Sequence, residues 1–269
     1  MPYRLTIEPL GESVEVGEKQ TLLDAALRQG IWMPHACGHG LCSSCKVEVL
    51  EGEVDHGDAS PFALMDFERE AGKALACCAV PRTDVVIEAD IEEEEDALYL
   101  PVDDHEGRVV RLERLTPDIL GIWLQVDGEG FEFQAGQYVN VHIPGCEVPR
   151  AFSAASSPAD PNVIELHVKL VPDGKGTTWL HENLKEGDTL RFSGPYGQFF
   201  VRASVRKPRI FVAGGSGLSS IRAMILDLVD EGLETDIFLF QGARTQEDLH
   251  YADAFRELAD EEARFHYVP

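Results

Sequence analysis

Four cysteines constrain the fold of this chain more than any other feature. Three of them, Cys37, Cys42 and Cys45, lie within nine residues, and the fourth, Cys77, follows after a gap of 31 residues. The spacing C-x4-C-x2-C with a remote fourth cysteine is typical of the thiolates that hold a [2Fe-2S] cluster. Glycines between the first two cysteines allow a tight turn that brings backbone N–H groups close to sulfur. The sequence therefore predicts one [2Fe-2S] cluster.

Other uses of these cysteines stay open from the spacing alone. Zinc is also held by four cysteines, but usually as two C-x2–4-C pairs. A disulfide framework suits short secreted chains, whereas this chain has 269 residues and opens without a signal-peptide pattern. Cys78 competes with Cys77 for the place of the fourth ligand. Cys146 stands alone, and no role in the cluster is predicted for it.

The residues around the cysteines predict a β-grasp domain. Alternating apolar residues between Leu5 and Val16 predict a hairpin, and Thr21 followed by Asp24 predicts the start of a helix. Strands are predicted at 46–50 and 85–88. Together with the segment LACCAVPRTDVVIE, this order resembles a plant-type ferredoxin domain over residues 1–95. The resemblance implies that Cys77 is the fourth ligand.

Composition argues against two classes of function. The net charge is −25, and nucleic-acid binding needs clustered Lys and Arg, so no nucleic-acid partner is expected. No stretch approaches the ~18 to 20 apolar residues of a membrane helix, and we expect a cytoplasmic protein without a membrane partner. Acidic residues are densest in the first hundred positions. They could steer the protein toward a basic face of a partner, or serve solubility alone.

The segment from 101 to 204 predicts an antiparallel β-barrel. Short apolar or alternating stretches recur at 109–112, 119–124, 138–143 and 163–170, with Gly, Pro and Asp between them. This rhythm is typical of small all-β barrels. One helix is predicted in this segment, and it ends near Leu184.

Three motifs on this segment predict a site for a phosphorylated cofactor. The first, RAFS at 150–153, places a guanidinium for phosphate, an aromatic ring and a hydroxyl on one strand. The second, GKGTT at 174–178, opens the helix, whose free N–H groups can bind an anion. The third, GPYG at 194–197, predicts a turn that closes the barrel.

In order and separation these motifs resemble the R-x-Y-S, G-x-x-S and G-P-x-G motifs of the ferredoxin–NADP reductase superfamily. Phe152 replaces the usual tyrosine, and Thr177 replaces the serine. The resemblance implies that FAD binds here, with Arg150 on its pyrophosphate, Phe152 over the flavin and Ser153, the one catalytic residue, near its redox edge. Further implied cofactor contacts are Ala151, His167, Val168, Lys169, Gly174, Gly176, Thr177 and Thr178.

The segment from 205 to 269 predicts a parallel α/β domain. An apolar strand from Arg209 runs into the glycine turn GGSG, and a helix, a strand at 236–240, a helix at 248–262 and a strand at 265–268 follow. The alternation βαβαβ predicts a parallel sheet. A glycine turn between strand and helix is the setting in which dinucleotides bind. The predicted coenzyme contacts are Gly214, Gly215, Ser216, Gly217, Gly242 and Arg244.

A doubly wound dinucleotide fold contains two such halves, and this segment supplies the first half only. The reductase superfamily carries a distal Cys-Gly-x-Pro motif beside the nicotinamide, and none follows Val268. We therefore expect a C-terminally truncated form of a longer reductase. In such a form, the nicotinamide site is expected to be incomplete.

From end to end, the chain resembles the phenol hydroxylase reductases, which are components of multicomponent bacterial monooxygenases. The stretches ALRQGIWMPHACGHG, ASPFALMDFERE, GPYGQFFVR and AGGSGLSS carry the resemblance. It implies a relay from NADH through FAD and the [2Fe-2S] cluster to a di-iron hydroxylase that oxidises an aromatic ring. Two alternatives remain: the reductase of a ring-hydroxylating dioxygenase, and a non-enzymatic electron carrier with an incomplete NAD site.

Overall fold

The computed structural model describes residues 2–92 and 94–269, and the chain divides into two compact units. The first unit ends at Asp103, and the second begins at Asp104. In the described residues, no helix combines the length and the apolar composition that a membrane crossing requires.

The first unit is built on a mixed five-stranded sheet with the order β2-β1-β7-β3-β5. Strands β1 and β7 pair in parallel, while β1–β2, β3–β7 and β3–β5 pair antiparallel. Two short strands, β4 and β6, form a separate ribbon. The elements in chain order are β1 (Tyr3–Glu8), β2 (Glu12–Val16), α1 (Leu22–Arg28), β3 (Lys46–Glu51), β4 (Val54–Asp55), α2 (Asp66–Glu70), β5 (Lys73–Leu75), β6 (Val80–Pro81) and β7 (Val85–Glu88).

Helix α1 begins where the sequence predicts it. The Asp24 N–H donates to the Thr21 hydroxyl at 3.2 Å, and such a cap contributes about 1 kcal/mol to helix stability. The helix buries its leucine and alanine side chains and leads, after Gly30, into the cysteine loop. The predicted hairpin and returning strands are present at 3–16, 46–51 and 85–88.

The chain after the acidic run 92–96 returns to the first unit. The Val102 N–H donates to the Leu27 carbonyl at 3.1 Å, and the Trp32 and Tyr99 ring centroids lie 5.8 Å apart. The like charges of this run predict a solvated linker, and Glu93 lies outside the described residues. Tyr99 and Val102, which follow the run, therefore contact the first unit through Trp32 and Leu27. The composition of the run does not reveal these contacts.

The second unit begins with a six-stranded antiparallel sheet whose order is β11-β10-β13-β8-β9-β12. Its edge strands are linked by one isolated bridge, Ala154–Leu166, and by a 2.8 Å hydrogen bond from the Ala155 N–H to the Glu165 carbonyl. The elements are β8 (Asp103–Thr116), β9 (Ile119–Val126), β10 (Tyr138–His142), β11 (Arg150–Ser153), β12 (Val163–Lys169), α3 (Lys175–Glu182) and β13 (Thr189–Tyr196).

Aromatic rings fill part of the core of this sheet. Phe131 stacks on Phe133 with a centroid distance of 5.4 Å and meets Phe192 edge-on at 5.3 Å. All three side chains are buried, and burial of each contributes roughly 1.5 to 3 kcal/mol. This core supports the six-stranded sheet, in which β11 is an edge strand. We call residues 101–204 the flavin segment and residues 205–269 the nucleotide segment.

The remainder of the second unit is a three-stranded parallel sheet with the order β14-β15-β16, as the alternation of elements predicts. A 3-10 turn, Gly215–Gly217, joins β14 to α4 without a break. The elements are β14 (Arg209–Gly214), α4 (Leu218–Glu231), β15 (Ile237–Gly242), α5 (Ala252–Glu261) and β16 (Phe265–Val268).

Candidate cofactor sites

Backbone N–H groups of the cysteine loop point at three of the four predicted cluster ligands. The Gly40 N–H donates to Cys77 Sγ at 3.2 Å, and the Cys37 N–H donates to Cys42 Sγ at 3.4 Å. Two further N–H groups donate to Cys37 Sγ at 3.4 Å, those of His39 and Leu41. Donors of this kind stabilise the negative charge of a thiolate, which is the form that binds iron.

Cys45 and Cys77 approach each other directly. A hydrogen bond between the two side chains lowers the pKa of the buried Cys45 to about 7 and raises that of Cys77. At Cys42, burial raises the pKa, but hydrogen bonds with Ser44 and the Cys37 N–H bring it down to about 7. Cys42 and Cys45 therefore ionise more readily than ordinary thiols, while the hydrogen bond with Cys45 keeps the proton on Cys77.

Gly40 is required by two separate features of the loop. Its φ of +72° is a conformation that side chains disfavour, and a Cβ there would lie 2.6 Å from Cys78 Sγ and 3.2 Å from the Ala59 Cα. The absence of a side chain lets the Gly40 N–H reach Cys77. This geometry fits a loop that wraps closely around a small inorganic group.

The structure distinguishes Cys77 from its neighbour. Cys77 Sγ accepts the Gly40 N–H and contacts Cys45, whereas Cys78 Sγ lies 3.7 Å from Cys77 Sγ. Within 2–92 and 94–269, no three His, Cys, Asp or Glu side chains converge as the ligands of one ion would. A [2Fe-2S] cluster spreads its four thiolates over two irons, so it needs no such convergence. Cys146 packs against the core of the second unit.

Arg150 and the first turn of α3 lie side by side. Arg150 is exposed on the edge strand β11, and its Nη1 donates to the Val148 carbonyl at 2.7 Å. Its Cγ lies 3.5 Å from the place where a Cβ on Gly176 would stand. Helix α3 begins after Gly174, so its free N–H groups and the guanidinium can act on the same anion. A diphosphate fits this combination of donors.

Other predicted flavin contacts occupy the same part of the sheet. Ser153 is half-buried and lies opposite Tyr138, while Phe152 packs against the core. The Thr177 hydroxyl accepts from the Val171 N–H at 3.1 Å and donates to a backbone carbonyl, so it fixes the turn before α3. Ala151 is exposed beside Arg150, and Thr178 lies in the first turn of α3.

A stacked pair of rings near Ser153 escaped sequence reasoning. Tyr138 and Tyr196 stack with centroids 5.5 Å apart and planes 21° from parallel. Tyr196 belongs to the GPYG motif, which was interpreted only as a turn, and Tyr138 lies on a strand defined by its apolar neighbours. The pairing register of β10 and β13 brings the rings together, and this register is not visible in the sequence.

A cavity of about 370 Å³ lies at the carboxyl ends of β14 and β15. Ligands of open parallel sheets bind in this position. Four of the predicted coenzyme contacts line it, Gly214, Gly215, Gly242 and Arg244, together with Lys169, which resemblance implied as an FAD contact. Five further lining residues were not predicted: Thr116, Asp118, Ile119, Ala243 and Asp248. We call this cavity the nucleotide pocket.

Asp118 organises the charges of the nucleotide pocket. Its carboxylate lies 3.4 Å from Lys169 Nζ and 3.5 Å from Arg244 Nη2. Burial opposes ionisation, but hydrogen bonds from Thr116 and Lys169 hold the pKa of Asp118 below its usual range. The pocket thus combines two cations, one carboxylate and glycine backbone, which suits the phosphates and hydroxyls of a dinucleotide.

The glycine turn approaches the second strand closely. A Cβ on Gly214 would lie 3.1 Å from the Gly242 carbonyl oxygen, and Gly215 has a φ of +54°. Ser216 and Gly217 complete the turn before α4. The backbone of the turn is therefore open to a ligand at the strand ends.

Two residues that resemblance implied as FAD contacts, His167 and Val168, are buried. Val168 is fully buried in the core, and the buried His167 ring bonds Glu165 through Nε2 at 2.7 Å. Neither lines the nucleotide pocket. Alternation along β12 explains this, because His167 and Lys169 share one face while only Lys169, at the strand end, reaches the pocket.

Three protein-family models match successive parts of the chain. They are a 2Fe-2S iron–sulfur cluster binding domain at residues 5–82, an oxidoreductase FAD-binding domain at 106–201 and an oxidoreductase NAD-binding domain at 211–269. The chain therefore contains domains for each of the three predicted cofactors.

Curated proteins match over the whole chain. It is 53% identical to the phenol hydroxylase P5 protein of Acinetobacter pittii (strain PHEA-2) and 54% identical to DmpP, the reductase component of phenol 2-monooxygenase from Pseudomonas sp. (strain CF600). Both matches cover 100% of this chain and 76% of the relative.

Solved structures resemble the chain closely as well. The Amycolatopsis cytochrome P450 reductase GcoB matches with a TM-score of 0.90 and 34% identity, over 99% of this chain and 80% of that one. The ferredoxin reductase in carbazole 1,9a-dioxygenase matches with a TM-score of 0.82 and 29% identity, over 100% of this chain and 78% of that one.

Proposed function

This chain belongs to the family of phenol hydroxylase reductase components, and we propose that it carries electrons from NADH to a di-iron hydroxylase that oxidises an aromatic ring. A nicotinamide delivers two electrons together and an iron–sulfur cluster accepts one, and the flavin chemistry between them makes the two compatible. The protein supplies the binding sites and their electrostatics.

The observation that carries this proposal is the composition of the nucleotide pocket. One wall comes from the flavin segment, through Asp118 and Lys169, and the other comes from the nucleotide segment, through Gly214, Gly215 and Arg244. A coenzyme bound there touches both segments at once. Such a shared pocket suits electron transfer from a bound coenzyme in one segment to the flavin in the other.

We assign the remaining contacts in the same way. Arg150 and the first turn of α3 hold the FAD pyrophosphate, while Phe152 and Ser153 face the flavin. The cluster is held by Cys37, Cys42, Cys45 and Cys77. We also propose that the six-stranded sheet closes into a barrel, which the isolated Ala154–Leu166 bridge between its edge strands supports. The domains then span 1–95, 101–204 and 205–269.

A second candidate is the reductase of a ring-hydroxylating dioxygenase, which the likeness to the carbazole dioxygenase reductase favours. The two candidates differ in the protein that accepts the electrons. We therefore expect this chain with NADH to support phenol oxidation by the other components of phenol 2-monooxygenase. Turnover by a ring-hydroxylating dioxygenase, with none by the phenol enzyme, would establish the second candidate instead.

Electrons are proposed to leave at an exposed apolar surface beside the cysteine loop. Phe62 is 90% exposed, and Leu41 in the loop is 69% exposed. The segment carrying Phe62 is fixed against the loop, because the Ser60 N–H donates to the Gly40 carbonyl at 3.1 Å. Exposed apolar surface rimmed by charge is typical of protein-binding sites, and α2 adds acidic side chains next to it. The hydroxylase should present a complementary basic rim.

Replacing Phe62 by serine should raise the KM for the hydroxylase by about tenfold, the size expected for an aromatic anchor of an interface. NADH-driven reduction of a small acceptor such as ferricyanide should not change. The control is Leu10→Ser, which alters another exposed apolar side chain, in the β1–β2 turn. Equal KM values for the two variants would place the docking surface elsewhere.

A further inference from the structure

Glu165 is a buried carboxylate at which three elements of the second unit meet. It lies on β12 with 2% exposure and accepts hydrogen bonds from His167 Nε2 at 2.7 Å and Arg222 Nη1 at 2.9 Å. The Tyr251 hydroxyl donates to Oε1, the oxygen that also bonds His167, while Arg222 donates to Oε2. Arg222 lies on α4, and Tyr251 directly precedes α5. One carboxylate therefore joins the flavin segment to both helices of the nucleotide segment.

Glu165 remains ionised in this setting. Burial alone would raise its pKa, but the hydrogen bond from His167 and the charge of Arg222 hold the pKa below its usual range. Breaking a buried ion pair by neutralising one partner leaves the other charge uncompensated. The cluster of Glu165, His167, Arg222 and Tyr251 thus links β12 to α4 and to the start of α5. We call this cluster the clamp.

Tyr251 shows that the clamp imposes a conformation. Its φ of +61° is in the left-handed region, which is an outlier for a bulky side chain. The ring has two close partners, since the Arg222 guanidinium lies 4.3 Å from its centroid and the His167 ring stacks with a centroid distance of 5.5 Å. Strained backbone of this kind persists only where surrounding contacts determine it, and it concentrates at functional sites.

Each element of the clamp also builds the nucleotide pocket. On β12, Lys169 lies two residues beyond His167 on the same face. The turn that contains Gly215 leads directly into α4, which carries Arg222. Asp248 lines the pocket three residues before Tyr251. The clamp itself lines no part of the pocket, so any effect it has on a ligand must act through these neighbours.

We propose that Glu165 is a positioning residue that fixes the two walls of the nucleotide pocket against each other and so sets the affinity for NAD(H). This inference rests on the proposed function, because it takes the pocket as the coenzyme site. A merely structural cluster would stabilise the fold and leave the affinity for the coenzyme unchanged.

The test is the variant Glu165→Gln, which keeps the shape of the side chain and removes its charge. Calorimetric titration of the holoprotein with NAD+ should give a dissociation constant raised by about tenfold, within the range of couplings inside one hydrogen-bond network. The KM for NADH should rise in parallel. FAD content, cluster content and dithionite-driven reduction of an acceptor should equal those of the unaltered protein.

Two further variants keep the test decisive. Tyr251→Phe removes one hydrogen bond and keeps the ring, so it should weaken NAD+ binding by a smaller factor even if Glu165→Gln fails to fold. Asp236→Asn removes an exposed partner of His266 just before β15, at the strand end away from the pocket, and should change nothing.

The outcomes separate this inference from the function on which it rests. Unchanged NAD+ affinity in both clamp variants, with a lower unfolding temperature, would overturn the inference alone and leave a structural cluster. If the unaltered protein binds no NAD+ and is not reduced by NADH, the proposed function fails, and the inference fails with it.

Discussion

Replacing Cys77 by serine is expected to abolish the [2Fe-2S] cluster. Cys77 Sγ accepts the Gly40 N–H and shares a hydrogen bond with Cys45, so it lies within the network of the cysteine loop where a ligand sulfur is expected. Serine offers a hydroxyl that ionises far less readily than a thiol, and thiolates are the ligands of such clusters. Iron and sulfide analysis should fall from about two of each per chain to nearly none.

The matched control is Cys78→Ser, one residue away. Cys78 Sγ lies 3.7 Å from Cys77 Sγ, whereas the loop N–H groups of Cys37, His39, Gly40 and Leu41 donate to the sulfurs of Cys37, Cys42 and Cys77. This variant should keep its full iron content and its cluster spectrum. If Cys78→Ser lost the cluster and Cys77→Ser kept it, the assignment of the fourth ligand would be one residue in error.

Replacing Arg150 by alanine is expected to weaken FAD binding by between about 10-fold and 100-fold. A charge-assisted hydrogen bond to a phosphate contributes about 1.5 to 3 kcal/mol, and tenfold in affinity corresponds to about 1.4 kcal/mol. The first turn of α3 would remain, so binding should weaken rather than vanish. The dissociation constant, measured by flavin fluorescence on the apoprotein, gives this ratio.

Arg111→Ala is the control for Arg150→Ala. Arg111 is exposed on the same sheet, where it stacks 4.4 Å above the Trp123 ring and pairs with Glu113, and no cofactor contact is predicted for it. Loss of this arginine should leave FAD affinity unchanged. Equal weakening in both variants would mean that overall charge, and not a specific pyrophosphate contact, governs FAD binding.

Local patterns predicted many of the helices and strands, and the cysteine spacing predicted the iron–sulfur domain. The ligand spacing lies mostly within one loop, and the predicted strand at 265–268 coincides with β16. The strand β8 runs from Asp103 to Thr116, far beyond the apolar stretch 109–112. Its outer parts are polar because one side faces solvent, so hydrophobic periodicity detects only its middle.

The parts that escaped prediction depend on pairing between distant residues. Glu165 bonds Arg222 and Tyr251, which are 57 and 86 positions away along the chain. Asp118 enters the nucleotide pocket from the β8–β9 turn, where its sequence neighbours give no sign of a ligand site. A charged residue on a strand is expected at the surface, and only the contacts with Arg222 and Tyr251 reveal that Glu165 is buried.

The predicted role of His167 illustrates the same limit. Resemblance alone placed His167, Val168 and Lys169 together at the cofactor. Strand geometry separates their side chains, since Val168 enters the core while His167 and Lys169 lie on the opposite face, where His167 is buried against Glu165. Residue-by-residue transfer from a family motif therefore needs the strand register before side-chain roles are assigned.

The most direct test of the central claim is anaerobic addition of NADH to the holoprotein, followed by flavin absorbance and by the electron paramagnetic resonance signal of the reduced cluster. We expect flavin absorbance to bleach first and the cluster signal to appear next, and in Cys77→Ser the flavin should bleach without any cluster signal. If dithionite reduced both centres while NADH reduced neither, this protein would not be the NADH-dependent reductase proposed here.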